Sequence, residues 1–374
     1  MGSRSFRGCW MIVKRLDPAK RLIVIVPENS LDLINVFRLV RSGDVLYSKT
    51  SRELKKERAS GKIDSERVQV VLGIEVESKT ADPLMRRVRF SGRIVYESRK
   101  LDLLGKYHTI TVLPGVEVKL ESRRDFERLR AFAESYKRRE KPIRVVCVSL
   151  DDEELAVAEF SNRGLNVLYS KHLPRVDKSV SWSEQYLEDF FEEAVDEIRK
   201  LPEGVGIIVL GPRIFSERFL SYLRRRGGGL SERVLACLDT SIGGEAGVRE
   251  VLKLDRLPDF LRELKPFRDS AVVERFIGVM SRDPERVAIG LEEVYEAWKL
   301  GAVETALVAE SYLWSNLENE VLEKLLEAAE RGKLNLQVIL DGLEASDKIM
   351  RLGGVVALLR YRLPLKKITE PGRR

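Results

Sequence analysis

At 374 residues the chain exceeds the span of one ordinary hydrophobic core, so two or three domains are expected. Hydrophobic residues make up 44%, the globular range. No apolar run approaches the about 18–20 residues that a membrane helix needs, so no membrane role is expected. Charged residues of both signs make up 33%, and the net charge of +7 permits contact with nucleic acid or the ribosome without requiring it.

The opening MGSRSFRGCWMIVKRL is basic but has no apolar core, so it does not read as a secretory signal, and a cytoplasmic location is expected. Because the first strand-like run begins at Met11, residues 1–10 are read either as not native to the chain or as a frayed extension. Three cysteines, Cys9, Cys147 and Cys237, lack metal-ligand spacing; the latter two sit inside strand-like runs and are expected to be small buried hydrophobes.

Residues 1–130 are written in short strands. Residues 21–26 form a strand run stopped by Pro27, after which Ser30 is expected to cap a short helix over 31–40. Further strands are expected over 68–76, 86–90, 92–96, 108–112 and 116–120. Many short strands with one helix suggest a small β-barrel. Its loop 49–67, KTSRELKKERASGKIDSER, carries seven cations (Lys49, Arg52, Lys55, Lys56, Arg58, Lys62, Arg67) against four anions. Almost nothing apolar could pin this loop to a core. It reads either as a solvated surface loop or as a basic finger that contacts RNA phosphates, and it lacks aromatic side chains for base stacking.

A charged, helix-forming stretch leads into a linker helix over 131–141. From 142 to 262 strands and helices alternate: strands over 143–149, 154–160 and 166–170, a helix over 183–200, a strand over 205–210, a helix over 216–226 and a strand over 233–238. This predicts a layered α/β domain with antiparallel strands at its start. The triple glycine 227–229 follows its helix, so it is read as a helix end and not as a phosphate loop.

The last segment, 263–374, repeats the α/β pattern. Val287, Leu291, Val294 and Trp298 fall at helical spacing, with Glu292, Glu293 and Glu296 on the opposite face. Lys299 suits the helix C-terminus and Gly301 supplies a residue able to close it. A strand over 302–308, a long helix over 314–331, a strand over 334–340, a helix over 346–352 and a strand over 355–361 follow.

Catalytic constellations are sparse. The only histidines, His108 and His172, fall in different predicted domains, and no nucleophile elbow or metal-ligand spacing stands in the chain. Asp44, Glu75 and Glu77 are the carboxylates a metal-dependent nuclease could draw on, although Glu75 and Glu77 alternate with Ile74 and Val76 as an exposed strand face does.

Several blocks carry a resemblance. GLEEVYEAWKLGAVETALVAE (290–310), PENSLDLINVFRLVRSGDVL (27–46), LGKYHTITVLPG (104–115), TSIGG with GVREVL (240–252) and LGGVVALLR (352–360) stand in the order found in the Pelota family, relatives of the class I translation release factors. The resemblance implies an Sm-like N-terminal β-barrel followed by two α/β layered domains, central and C-terminal, the last for docking partners. It also implies a monomeric ribosome-rescue and mRNA-surveillance factor that works with an elongation factor 1-alpha-type GTPase and a ribosome-recycling ATPase. Loop 49–67 would then face the decoding region. No cofactor of its own is implied, and GTP would enter only through the partner. Family members have been proposed to be metal-dependent endoribonucleases, which would add a divalent cation. Where class I release factors carry Gly-Gly-Gln, this chain reads Lys171-His172-Leu173-Pro174-Arg175, and no glycine pair anywhere is followed by Gln. That excludes a peptide-releasing hydrolase. Lys171, His172 and Arg175 are candidate RNA contacts; for His172 an ordinary exposed loop residue is an equal alternative.

Overall fold

The computed structural model describes residues 11–57, 63–137, 144–162, 164–172 and 184–364. The chain divides into two compact units, one of residues 1–140 with 310–333 and one of 141–309 with 334–374. No helix among the described residues is long and apolar enough to cross a membrane.

In the first unit, strands β1 (Ile12–Asp17), β2 (Leu22–Val26), β3 (Val45–Glu57), β4 (Ile63–Asp82), β5 (Arg87–Glu97), β6 (Tyr107–Val112) and β7 (Val118–Glu121) make one sheet in the order β1-β2-β7-β3-β4-β5-β6. Every described pairing in it is antiparallel. The expected barrel is therefore an open sheet with β1 and β6 as its edges. Its inner face is covered by a helix instead of by closure. Helix α1 (Ser30–Leu39) buries Leu33, Val36 and Phe37, and the Phe37 ring lies 6.5 Å from Phe90. The cap of α1 is Asn29, not Ser30: the Asn29 side-chain oxygen accepts from the Asp32 N–H at 2.9 Å. Helix α2 (Phe126–Lys137) packs on β1 and β2.

The second unit opens with β8 (Arg144–Leu150), β9 (Glu154–Ser161), β10 (Gly164–His172), α3 (Glu184–Arg199), β11 (Gly206–Gly211), α4 (Arg213–Arg226), β12 (Val234–Asp239), α5 (Gly244–Glu250), α6 (Asp259–Arg262) and α7 (Lys265–Arg282). Its five-stranded sheet runs β10-β9-β8-β11-β12, antiparallel through the first hairpins and parallel from β8 to β12. Helices α3 and α4 fill one face, with Phe191 5.3 Å from Phe219. Val248, Leu261 and Phe267 of α5, α6 and α7 cover the other, where Phe267 sits 4.9 Å from Phe160. Cys147 is buried as expected, and burial pushes its thiol up to about 12. Cys237 is exposed instead. It lies on β12, an edge strand that is covered on alternate residues only.

The chain continues through β13 (Val287–Ile289), α8 (Leu291–Lys299), β14 (Val303–Ala309), α9 (Glu310–Ser315), α10 (Glu320–Glu330), β15 (Leu336–Ile339), α11 (Glu344–Arg351) and β16 (Val355–Leu359). The four-stranded sheet runs β13-β16-β14-β15, with only β14 and β15 parallel. Val287, expected on the helix face, belongs instead to strand β13. Gly290, at φ 88°, turns the chain between that strand and α8 in a conformation a side chain disfavours. Gly301 closes α8 at φ 69°, as its position suggested. The single long helix expected over 314–331 is two helices. Asn319 breaks it, its side chain accepting from the Val321 and Leu322 N–H groups at 2.9 and 3.1 Å.

Helices α9 and α10 belong to the first unit. There the Arg38 guanidinium of α1 meets Glu323 at 2.8 Å and also Glu330, and the Trp314 indole donates to the Ser30 hydroxyl at 2.7 Å. Within the second unit a buried ion pair anchors the start of α7. Lys265 and Asp269 are 3% and 2% exposed and 2.7 Å apart. Lys265 also donates to the Val338 carbonyl, and Asp269 accepts from the Leu340 N–H at 3.1 Å.

Candidate nucleic-acid interface

The basic segment 49–67 is a hairpin, not a loop. Strands β3 and β4 pair in unbroken register from Val45 opposite Glu75 to Glu57 opposite Ile63. Strand β7 pairs with β3 only from Val45 to Ser48, and β5 pairs with β4 only from Leu72 onward. Beyond Lys49 and Val71 the two strands therefore have only each other as described ladder neighbours. At about 3.3 Å per residue, that ribbon extends for about 30 Å. Strand reading failed here because a two-stranded ribbon satisfies its backbone by pairing and needs no buried face, so the apolar alternation that marks a strand is missing.

Of the sequence-predicted contacts, Lys49, Arg52, Lys55 and Lys56 fall on β3 and Arg67 on β4, while Arg58 and Lys62 lie outside the described residues. Lys49 is exposed. The register places Arg52 opposite Val68, Lys55 opposite Ser65, Lys56 opposite Asp64 and Glu53 opposite Arg67. Lys171 and His172 end β10 in the other unit. Lys171 is tied to Glu193 of α3 at 2.6 Å, and the His172 Nδ1 is 3.0 Å from Glu154 with the ring 77% exposed. Arg175 lies outside the described residues.

The nuclease carboxylates do not converge. Asp44 is buried, and its carboxylate accepts from the Arg41 N–H and from Arg128 at 2.6 Å. Glu77 lies 3.4 Å from Arg93 and accepts from the Tyr107 hydroxyl at 3.0 Å, while Glu75 stands exposed. Among the described residues no group of three or more His, Cys, Asp or Glu side chains could hold a metal ion.

One feature at the foot of the ribbon was missed. Across the outer face of the sheet, Lys119 of β7, Tyr47 of β3, Gly73 of β4 and Tyr96 of β5 are registered in one row. The Tyr47 hydroxyl donates to Glu121 at 2.8 Å; burial, and then this hydrogen bond, push the phenol up to about 12. The two rings meet edge to face at 5.6 Å and 67°, and Tyr96 stays 46% exposed. Gly73 makes room for them, since a Cβ there would stand 2.6 Å from the Tyr47 ring. The only signal in the sequence was Tyr47, two residues before the basic segment.

A family model for the Pelota N-terminal domain matches residues 11–131, and one for eRF1 domain 3 matches residues 267–363. The protein pelota homolog of Pyrococcus furiosus is 32% identical over 357 residues, covering 92% of this chain and 98% of its own. That of Hyperthermus butylicus is 29% identical, covering 94% and 98%. The crystal structure of the Thermoplasma acidophilum Pelota protein aligns with a TM-score of 0.63 at 18% identity, over 94% of this chain and 99% of that one, a likeness of fold.

Proposed function

Because this chain belongs to the Pelota family, we propose that it is a ribosome-rescue factor. It enters the A site of a stalled ribosome together with an elongation factor 1-alpha-type GTPase. It then prepares the particle for disassembly by a recycling ATPase and the mRNA for surveillance. The observation that carries this reading is the β3–β4 ribbon, a basic finger long enough to reach into an RNA channel from an anchored sheet. Lysine and arginine along such a ribbon give salt-dependent affinity for phosphates without reading bases.

In this reading the three sequence-defined domains divide the work. The N-terminal sheet and its ribbon meet RNA, and the central and C-terminal domains hold the GTPase. The central domain does not hydrolyse peptidyl-tRNA, since the segment after Ser170 lacks the Gly-Gly-Gln that would position water. GTP acts through the partner, and the protein works as a monomer on cytoplasmic ribosomes. The test is nucleotide-dependent complex formation: the purified chain, the GTPase and ribosomes are sedimented together with a non-hydrolysable GTP analogue or with GDP. A complex with the analogue and its loss with GDP are expected. Equal recovery in both, or none in either, refutes the reading.

A further inference from the structure

We propose that Tyr47 and Tyr96, with Lys49 and Lys119 beside them, form a stacking platform that takes one unpaired RNA base at the foot of the ribbon. This rests on the ribosome-rescue reading only for the source of the RNA. The platform is built, not incidental. Tyr47 is fixed at its hydroxyl by Glu121, and its ring fills the space left by the absent side chain of Gly73. Tyr96 is braced against that ring and keeps nearly half of its surface open. An aromatic ring braced on a neighbour and nearly half open can meet a base by sequence-tolerant stacking, because every base has a π-face.

The charges beside it select the ligand. Lys119 is registered opposite Tyr47, and Lys49 follows two residues along β3. Among the described residues neither lysine has a carboxylate within ion-pair distance, and both are exposed. Of the nearby carboxylates, Glu117 pairs with Lys14 at 2.8 Å and Glu121 with Arg123 at 3.1 Å, while the exposed Glu75, two residues along β4 from Gly73, lies in the field of Arg123. The hydrogen bond from Lys14, and then the fields of Lys14, Lys119 and Lys49, hold the Glu117 carboxyl below its usual range. The three lysines thus share one local field around a single carboxylate. The surplus is positive and lies beside an open ring, which suits a nucleotide with its phosphates better than a neutral apolar peptide.

The experiment uses the full chain and a short U-rich RNA containing one 2-aminopurine, whose fluorescence is quenched on stacking. Wild type is expected to quench it, and Tyr96→Phe to retain both quenching and affinity. Tyr96→Leu keeps the apolar bulk but removes the ring. It is expected to abolish quenching and weaken binding by about 5- to 150-fold, with the salt slope unchanged. Lys49→Ala with Lys119→Ala should lower the slope of log K against log salt by about 1.4. Equal quenching and affinity in wild type and Tyr96→Leu overturns the platform. So does a photocross-linking side chain at position 96 that, on ribosomes, joins only ribosomal protein. The rescue reading fails separately, through absence of the nucleotide-dependent GTPase complex, whatever the oligonucleotide shows.

Discussion

The register of the ribbon makes a prediction that total charge does not. Arg52 and Lys55 stand opposite Val68 and Ser65, whereas Lys56 stands opposite Asp64. Directly opposed unlike charges on paired strands attract, and in the register only Lys56 of these three stands opposite a carboxylate residue. Each phosphate neutralised on a single strand contributes about 0.7 to the salt slope, so Arg52→Ala with Lys55→Ala should lower that slope by about 1.4. Between about 50 and 200 mM salt, wild type should then lose about 7-fold more ribosome affinity than this variant. Lys56→Ala with Asp64→Ala removes a registered pair and should leave the slope nearly unchanged. The assay is sedimentation with ribosomes across that salt range, with thermal melts confirming that each variant stays folded. A slope that falls equally in both variants would refute the reasoning from register. A slope unmoved by either would refute the ribbon as the phosphate contact.

Other expectations follow from single features. Lys265→Met strands the buried Asp269 carboxylate with the Leu340 N–H as its remaining donor among those described above, and should destabilise the protein by about 3–5 kcal/mol in urea titration. The Asp269 carboxyl is already pushed up by burial. Without Lys265 the folded state binds its proton still more readily than the unfolded state does, so stability should fall as pH rises, and this variant should be firmer at pH 5 than at pH 7. A Lys265→Met, Asp269→Leu double variant should recover only in part, because the Val338 carbonyl and the Leu340 N–H lose partners at about 1–3 kcal/mol each. Asn29→Ala should cost about 1 kcal/mol through loss of the α1 cap, while Ser30→Ala should remove only the hydrogen bond from Trp314. RNA incubated with Mg²⁺ or Mn²⁺ should stay uncut; cleavage that Glu75→Ala or Glu77→Ala abolishes would restore the nuclease reading.

Element identity was readable for many elements that bury one face, although helix α7, which buries Phe267, Val273 and Phe276, was not expected. The strands around Val145, Val209 and Val356, and the helix 291–299, came through because their partners impose a period on the sequence. Other failures were set by pairing or by single polar atoms. The ribbon has no face to bury. Val287 fits a helical period by chance and is a strand because Gly290 reverses the chain after it. Asn319 outcompetes helix continuity with one side-chain oxygen. The barrel reading failed at long range, since nothing local states that α1 will fill the inner face and leave β1 and β6 as edges. The candidate contacts were legible as charge; their order along a ribbon, and which of them are registered opposite an acidic residue, depends on a pairing that only the strands reveal.

The ribbon and the tyrosine platform are not independent sites, since both are carried by β3. Tyr47 and Lys49 are two residues apart on one strand, and both point to its outer face. The strand is clamped at that level between β7 and β4, so no flexible linker separates a phosphate held at the foot of the ribbon from a base on Tyr96. Contacts joined rigidly bind together without the entropy of a second association, provided that the ligand can span both. Duplex RNA cannot offer an unpaired base to the platform without unstacking, whereas a single strand can. The two terms should therefore separate by ligand. Ribbon variants should weaken duplex and single-stranded RNA alike, whereas Tyr96→Leu should weaken single-stranded RNA alone. Equal losses on both ligands in Tyr96→Leu would mean that the ring supports the ribbon and stacks on nothing.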